Sequence, residues 1–72
     1  MNARDAIKTL EAIKARGLKY RIRSASGPYL SVSRRAALDF LAHAQYMSSN
    51  HGQDYTFTID NRTDVGYVWI DA

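Results

Sequence analysis

The chain has 72 residues, with ten Lys and Arg against seven Asp and Glu, for a formal net charge of +3. It has no cysteine, which excludes disulfide staples, cysteine-based metal sites and thiol redox chemistry. A chain this short has room for one domain, 1–72, near the lower limit for a self-sufficient core, and a homodimer is one way to enlarge that core.

The charge is unevenly divided. Residues 1–36 carry +7 and residues 37–72 carry −4. Between Glu11 and Asp39 there are seven basic side chains and no acidic one: Lys14, Arg16, Lys19, Arg21, Arg23, Arg34 and Arg35. Concentrated positive potential favours encounter with an anion. No apolar run is long enough to span a bilayer, and the first twenty residues lack the apolar segment of a signal peptide. A cytoplasmic location without a membrane partner is therefore expected.

The first element is a helix over about 2–16. Asn2 is placed to cap it, Asp5 stands in its first turn, and Ala3, Ala6, Ile7, Leu10 and Ile13 recur along one face. Gly17 reads as the left-handed residue after it, with Leu18 packing back on Ile13. Residues 18–24 alternate as a strand, Leu18, Tyr20 and Ile22 inward and Lys19, Arg21 and Arg23 outward. Ala25-Ser26-Gly27-Pro28 marks a turn, and 29–32 a short second strand with Leu30 and Val32 in the core and Tyr29 and Ser31 outside.

Ser33 is a helix cap. Ala37, Phe40, Leu41, Ala44 and Met47 form the apolar stripe of a second helix, and Arg35, Asp39, His43 and Tyr46 its solvated side. That helix should stop near Tyr46 or Met47, since Ser48-Ser49-Asn50-His51-Gly52 is loop chemistry. Strands follow at 55–59 and 65–70, joined by a turn at Asn61–Asp64. The expected fold is α+β: helix–hairpin–helix–hairpin, a four-stranded, mostly antiparallel sheet with both helices on one face.

This arrangement leaves one sheet face for Lys19, Arg21, Arg23, Tyr29, Ser31, Thr56, Thr58, Tyr67 and Trp69. Interleaved cations and rings suit single-stranded nucleic acid, the cations tracking phosphates and the rings stacking bases. The competing reading is that the last strand, apolar on both faces, buries Val65, Tyr67 and Trp69 in the core. Arg34 and Arg35 make a second anion site, because they occupy a helix start where positive charge is disfavoured but free backbone N–H groups are available. The bland account is that Arg35 pairs with Asp39 one turn on and Arg34 is solvated.

Catalysis finds little support. His43 and His51 are not in a helical pair, no cysteine joins them, and Asp54 completes a ligand set only by accident. Ser33 or Ser49 with Asp39 and His43 has the residue types of a triad, but on a polar helix face without a buried base. The four glycines are scattered, so no phosphate-binding glycine loop exists. No enzyme, metal or cofactor is expected, and the order of elements does not match a helix-turn-helix, a ribbon-helix-helix or a zinc finger. Two functions fit. One is a binding module for nucleic acid or a nucleic-acid-processing complex, using Lys19, Arg21, Arg23, Tyr29, Arg34, Arg35, Tyr67 and Trp69. The other is a small inhibitor or accessory protein of the kind viruses and mobile elements encode, docking the same residues on an acidic protein surface.

Overall fold

The computed structural model describes all residues, 1–72. The elements are α1 (Ala3–Ala12), β1 (Lys19–Arg23), β2 (Leu30–Val32), α2 (Arg34–His51), β3 (Thr58–Arg62) and β4 (Tyr67–Asp71). The fold is a small α+β domain of two helices and a four-stranded mixed sheet in the order β2-β1-β4-β3.

A mostly antiparallel sheet was the expectation, and the centre of the sheet corrects it. β1 and β4 are parallel neighbours, aligned so that Tyr20 meets Val68 and Ile22 meets Ile70, while β2 and β3 pair antiparallel on the outside. Local sequence proposes pairings between consecutive strands. The parallel pair joins segments almost fifty residues apart, and it is selected by burial: the two strands with core-facing aliphatic or aromatic pairs occupy the interior.

Both helices pack on the face that carries Tyr20, Ile22, Val68 and Ile70. α1 contributes Ala3, Ala6 and Leu10, and α2 contributes Ala37, Leu41 and Ala44. The four alanines let the helices approach one another closely over the fully buried Leu10, Leu41 and Phe57.

Several boundaries differ from the sequence expectation. Asn2 caps α1 as expected, its side chain accepting the Asp5 N–H at 2.8 Å. However, α1 ends at Ala12 rather than near 16, because Ile13 turns the chain (φ −81°, ψ 106°) and takes its own side chain into the core. Gly17 is left-handed (φ 73°) but lies inside the following loop instead of ending the helix. α2 runs on to His51, four residues past Met47. Gly52 in the left-handed region closes it, and the Asn50 amide donates to the Tyr46 carbonyl at 3.0 Å, so the polar 48–51 segment stays helical.

Leu30 was expected in the core and is 62% exposed. Its register opposite Ile22 does aim it to the helical side, but β2 is a three-residue edge strand beyond the helices' cover. The third strand is 58–62 rather than 55–59. Residues 55–57 run alongside Met1 instead, whose backbone exchanges two 2.7 Å hydrogen bonds with Phe57. The turn correspondingly moves from 61–64 to 63–66, where Gly66 (φ 81°) supplies the positive φ that Asn61 and Arg62 do not need to adopt. β4 therefore spans 67–71, and Val65 is exposed in the turn instead of buried.

Candidate nucleic-acid interface

Alternation along β1 and β4 builds the face opposite the helices. With Tyr20, Ile22, Val68 and Ile70 turned to the core, Lys19, Arg21 and Arg23 emerge from β1 and Tyr67, Trp69 and Asp71 from β4. The parallel register sets them in pairs: Lys19 beside Tyr67, Arg21 beside Trp69, Arg23 beside Asp71. Ser31 joins from β2 opposite Arg21, and Thr58, Asp60 and Arg62 join from β3 opposite Asp71, Trp69 and Tyr67. Thr56, expected here, lies ahead of β3 and is exposed outside the sheet.

The aromatic pair sits at the centre of the face. The Tyr67 and Trp69 rings stack with centroids 5.1 Å apart and planes 14° from parallel. Both residues are half-buried, so neither is in the core, and the reading that placed them there is corrected. The Arg21 guanidinium lies 5.2 Å and the Lys19 ammonium 5.9 Å from the Tyr67 ring centroid. Arg21 has its Nε shut away without a hydrogen-bond partner, and its outer N–H groups have no protein acceptor either. It is a cation laid on a ring, with donors to spare.

Arg23 is bound quite differently. It forms an ion pair with Asp71, and its guanidinium lies 4.7 Å from the centroid of Tyr29. The Tyr29 hydroxyl reaches across β1 and donates to both Asp71 oxygens, at 2.8 and 3.0 Å. The three groups tune one another. The hydrogen bond to Asp71 holds the Arg23 guanidinium above its usual range and, with desolvation, raises the Tyr29 hydroxyl. Desolvation alone pushes the Asp71 carboxyl up, but the hydrogen bonds from Tyr29 and Arg23, together with the Arg23 charge, outweigh it and leave it lowered. Arg23 is thus largely neutralised inside the protein, and the unpaired cations of the face are Lys19 and Arg21.

Beyond Trp69 the face opens into a cleft of about 350 Å³ lined by Tyr29, Asp60, Arg62, Trp69 and Asp71. The two carboxylates were missed as members of this face. Asp71 continues the alternation of Tyr67 and Trp69, and Asp60 follows once Gly66 is taken as the turn's left-handed residue, which extends β3 to Arg62.

Arg34 and Arg35 are not part of this face. They are exposed at the start of α2, in the helical layer, where Ser33 caps the helix by accepting the Ala36 N–H at 3.0 Å. The pairing of Arg35 with Asp39 does not form. His43 and Asp39 are exposed on α2, and no cluster of three or more His, Asp or Glu stands ready for a metal ion. No helix is long and apolar enough to cross a membrane. No protein-family model, curated protein or solved structure matches this chain, so the functional reading rests on the face itself.

Proposed function

We propose that this protein is a non-catalytic binding module that takes single-stranded nucleic acid on the open face of its sheet. One observation carries the reading: Lys19, Arg21, Tyr67 and Trp69 stand together on two central strands, on the side the helices leave uncovered. Lys19 and Arg21 would meet phosphates. The aromatic pair would extend its stack by a base, worth about 1–3 kcal/mol. Tyr29 and Arg23 shape one wall of the face rather than supplying charge, since Asp71 engages both.

A second reading is favoured by the acidic groups on the same face. Asp60 and Asp71 weaken attraction for a polyanion but are at home in a protein interface, where Tyr, Trp and Arg act as anchors. The partner would then be a larger host protein whose surface sets acidic groups against Lys19 and Arg21 and donors against Asp60 and Asp71, with this chain as inhibitor or accessory subunit. Fluorescence anisotropy with labelled single-stranded oligonucleotides at several salt concentrations separates the two. The nucleic-acid reading expects saturable binding that weakens steeply with salt, with a slope that reports the phosphates neutralised. Absence of binding at low salt, with the protein shown to be folded, rejects it in favour of the protein partner.

A further inference from the structure

A second site forms where β1 begins. Tyr20 pairs with Val32, so the chain leaving β2 through Ser33 and Arg34 stands beside the chain entering β1. The loop after α1 wraps this corner. Between them lies a cleft of about 670 Å³ whose lining includes Lys14, Arg16, Tyr20, Ser33 and Arg34, with Glu11 as its one carboxylate. Lys14, Arg16 and Arg34 form no ion pair within the protein. Three uncompensated cations face one carboxylate.

The backbone adds donors. α2 is eighteen residues long and starts at this cleft. Ser33 satisfies the N–H groups of Ala36 and Ala37, through its hydroxyl and its carbonyl, at 3.0 and 2.9 Å. The N–H groups of Arg34 and Arg35 are left at the positive end of the helix without an intrahelical acceptor.

Tyr20 is the independent sign of a ligand. Its side chain is in the core, with the residue only 4% exposed, yet its hydroxyl makes no hydrogen bond in the protein, whereas those of Tyr29 and Tyr55 do. Nor is that hydroxyl sealed off, because the sole side-chain polar atom both buried and unpartnered is Arg21 Nε. The Tyr20 hydroxyl is therefore accessible without a protein partner, on a residue that is otherwise in the core and that lines this cleft.

We propose that this cleft binds a phosphate monoester. A dianion with three acceptor oxygens matches two guanidiniums, an ammonium, free helix N–H groups and a phenolic donor. The group can be free phosphate or the terminal phosphate of a polynucleotide strand. The site does not depend on the open-face reading, since its donors come from the loop after α1, the start of α2 and the helix-facing side of β1.

The test begins with inorganic phosphate, titrated at constant ionic strength into the isotope-labelled protein and followed by amide shifts. Saturable shifts at Arg34 and Arg35 are expected. Tyr20→Phe should weaken them several-fold, and Arg16→Ser with Arg34→Ser at least tenfold. The control pair Arg4→Ser and Lys8→Ser, on α1, should leave them unchanged. Each variant is checked by thermal melt. Shifts that never saturate, or that are equally affected by the α1 control, overturn the site. So does unchanged binding in folded Tyr20→Phe and in the folded double-arginine variant. Single-stranded oligonucleotides with and without a terminal phosphate then identify the source. A preference for the phosphorylated end, lost in the double-arginine variant, assigns the cleft to a strand terminus; no preference assigns it to free phosphate. Failure of every oligonucleotide with phosphate still saturating removes the open-face function and leaves this site standing.

Discussion

Tyr67 and Trp69 stack on each other at 5.1 Å, although their Cα atoms are two residues apart on one strand. That distance is too short for rings lying side by side in one plane, so the rings overlap face to face and rise from the sheet. Tyr67 also has Lys19 and Arg21 over its ring, so the face of Trp69 turned away from Tyr67 is the stacking surface left for a ligand. A base would extend the column into the cleft shared with Tyr29 and Asp60, instead of covering both rings at once.

Trp69→Ala should separate binding from stability. A core tryptophan costs about 3–5 kcal/mol on truncation, enough to unfold a domain of this size. Trp69 is half-buried on the uncovered face, so losing its stack with Tyr67 and its partly buried area should cost about 1–3 kcal/mol, less than a core tryptophan. Oligonucleotide affinity should fall by about 5- to 150-fold, the loss of one stacked base. A melt and an anisotropy titration on the same variant decide this; unchanged affinity removes Trp69 from the site.

Lys19→Ser with Arg21→Ser should lower affinity at a modest cost in melting temperature, since neither residue is in an ion pair and each loses a contact with the Tyr67 ring worth about 0.5–1 kcal/mol. If each cation neutralises one phosphate, the slope of log affinity against log salt should fall by about 1.4, at about 0.7 per single-strand contact. Arg23→Ser should behave oppositely, destabilising the fold through Asp71 and Tyr29 while changing the salt slope little. A salt slope that drops for Arg23 and not for the Lys19–Arg21 pair contradicts this division.

The contrast between Lys19, Arg21 and Arg23 also marks how far the sequence could be read. Their alternation placed all three on one face, because a strand's period of two is a local property. That Arg23 is occupied was not legible, since its partner Asp71 is nearly fifty residues away and adjoins it only through a parallel pairing. Burial, and not turn chemistry, selects such pairings. The caps Asn2 and Ser33 were legible because each acts within three residues. Leu30 was not, because an apolar residue in a strand reads as core whether or not a helix reaches over it. Its 62% exposure means that Leu30→Ser should change stability by no more than about 0.5 kcal/mol.

The Arg23–Asp71–Tyr29 unit should give the protein an acid limb that Asp71→Asn removes. The Asp71 carboxyl is lowered in the folded state from its ordinary 3.8. A depressed carboxylate stabilises the fold at every pH above its unfolded value, and that stabilisation fades as pH falls through the folded value. At neutral pH the wild type should therefore melt higher than Asp71→Asn. Below pH 3.8 the two curves should converge. Melts taken between pH 7 and pH 2 test it, and a constant gap across that range assigns the stabilisation to something other than this charge.

Gly66→Ala should cost about 1–2 kcal/mol, the strain of a left-handed residue with a Cβ. Gly66 has φ 81°, and nothing lies within 4 Å of where its Cβ would be, so conformation alone sets the cost. For a domain of this length, a loss of 1 kcal/mol lowers the melting temperature by about 4–8 °C. The turn is also what carries β3 to Arg62 and pairs it with Tyr67. If the variant keeps that register, its chemical shifts around Tyr67 and Trp69 should stay near wild type. Affinity should survive as well, since Gly66 offers the face no side chain.

Arg34→Glu should move stability and phosphate binding in opposite directions. Arg34 is the first residue of α2, where an acidic side chain suits the helix dipole by about 0.3–1 kcal/mol and a basic one does not. It has no ion-pair partner to lose, and the residue one turn on is Leu38, which adds neither attraction nor repulsion. Glu11, which lines the same cleft, trims the gain without reversing it. Adding Arg35→Glu would blunt the result, because the new carboxylate stands one turn before Asp39 and forfeits about 0.2–0.5 kcal/mol. The single variant should therefore melt slightly higher than wild type and lose saturable phosphate binding, as the cleft exchanges a cation for an anion. A solvated surface arginine predicts the same small stabilisation with no effect on phosphate, and an arginine needed by the fold predicts a lower melt. Only the combination of a higher melt and lost binding marks Arg34 as held in an unfavourable place for the sake of a ligand.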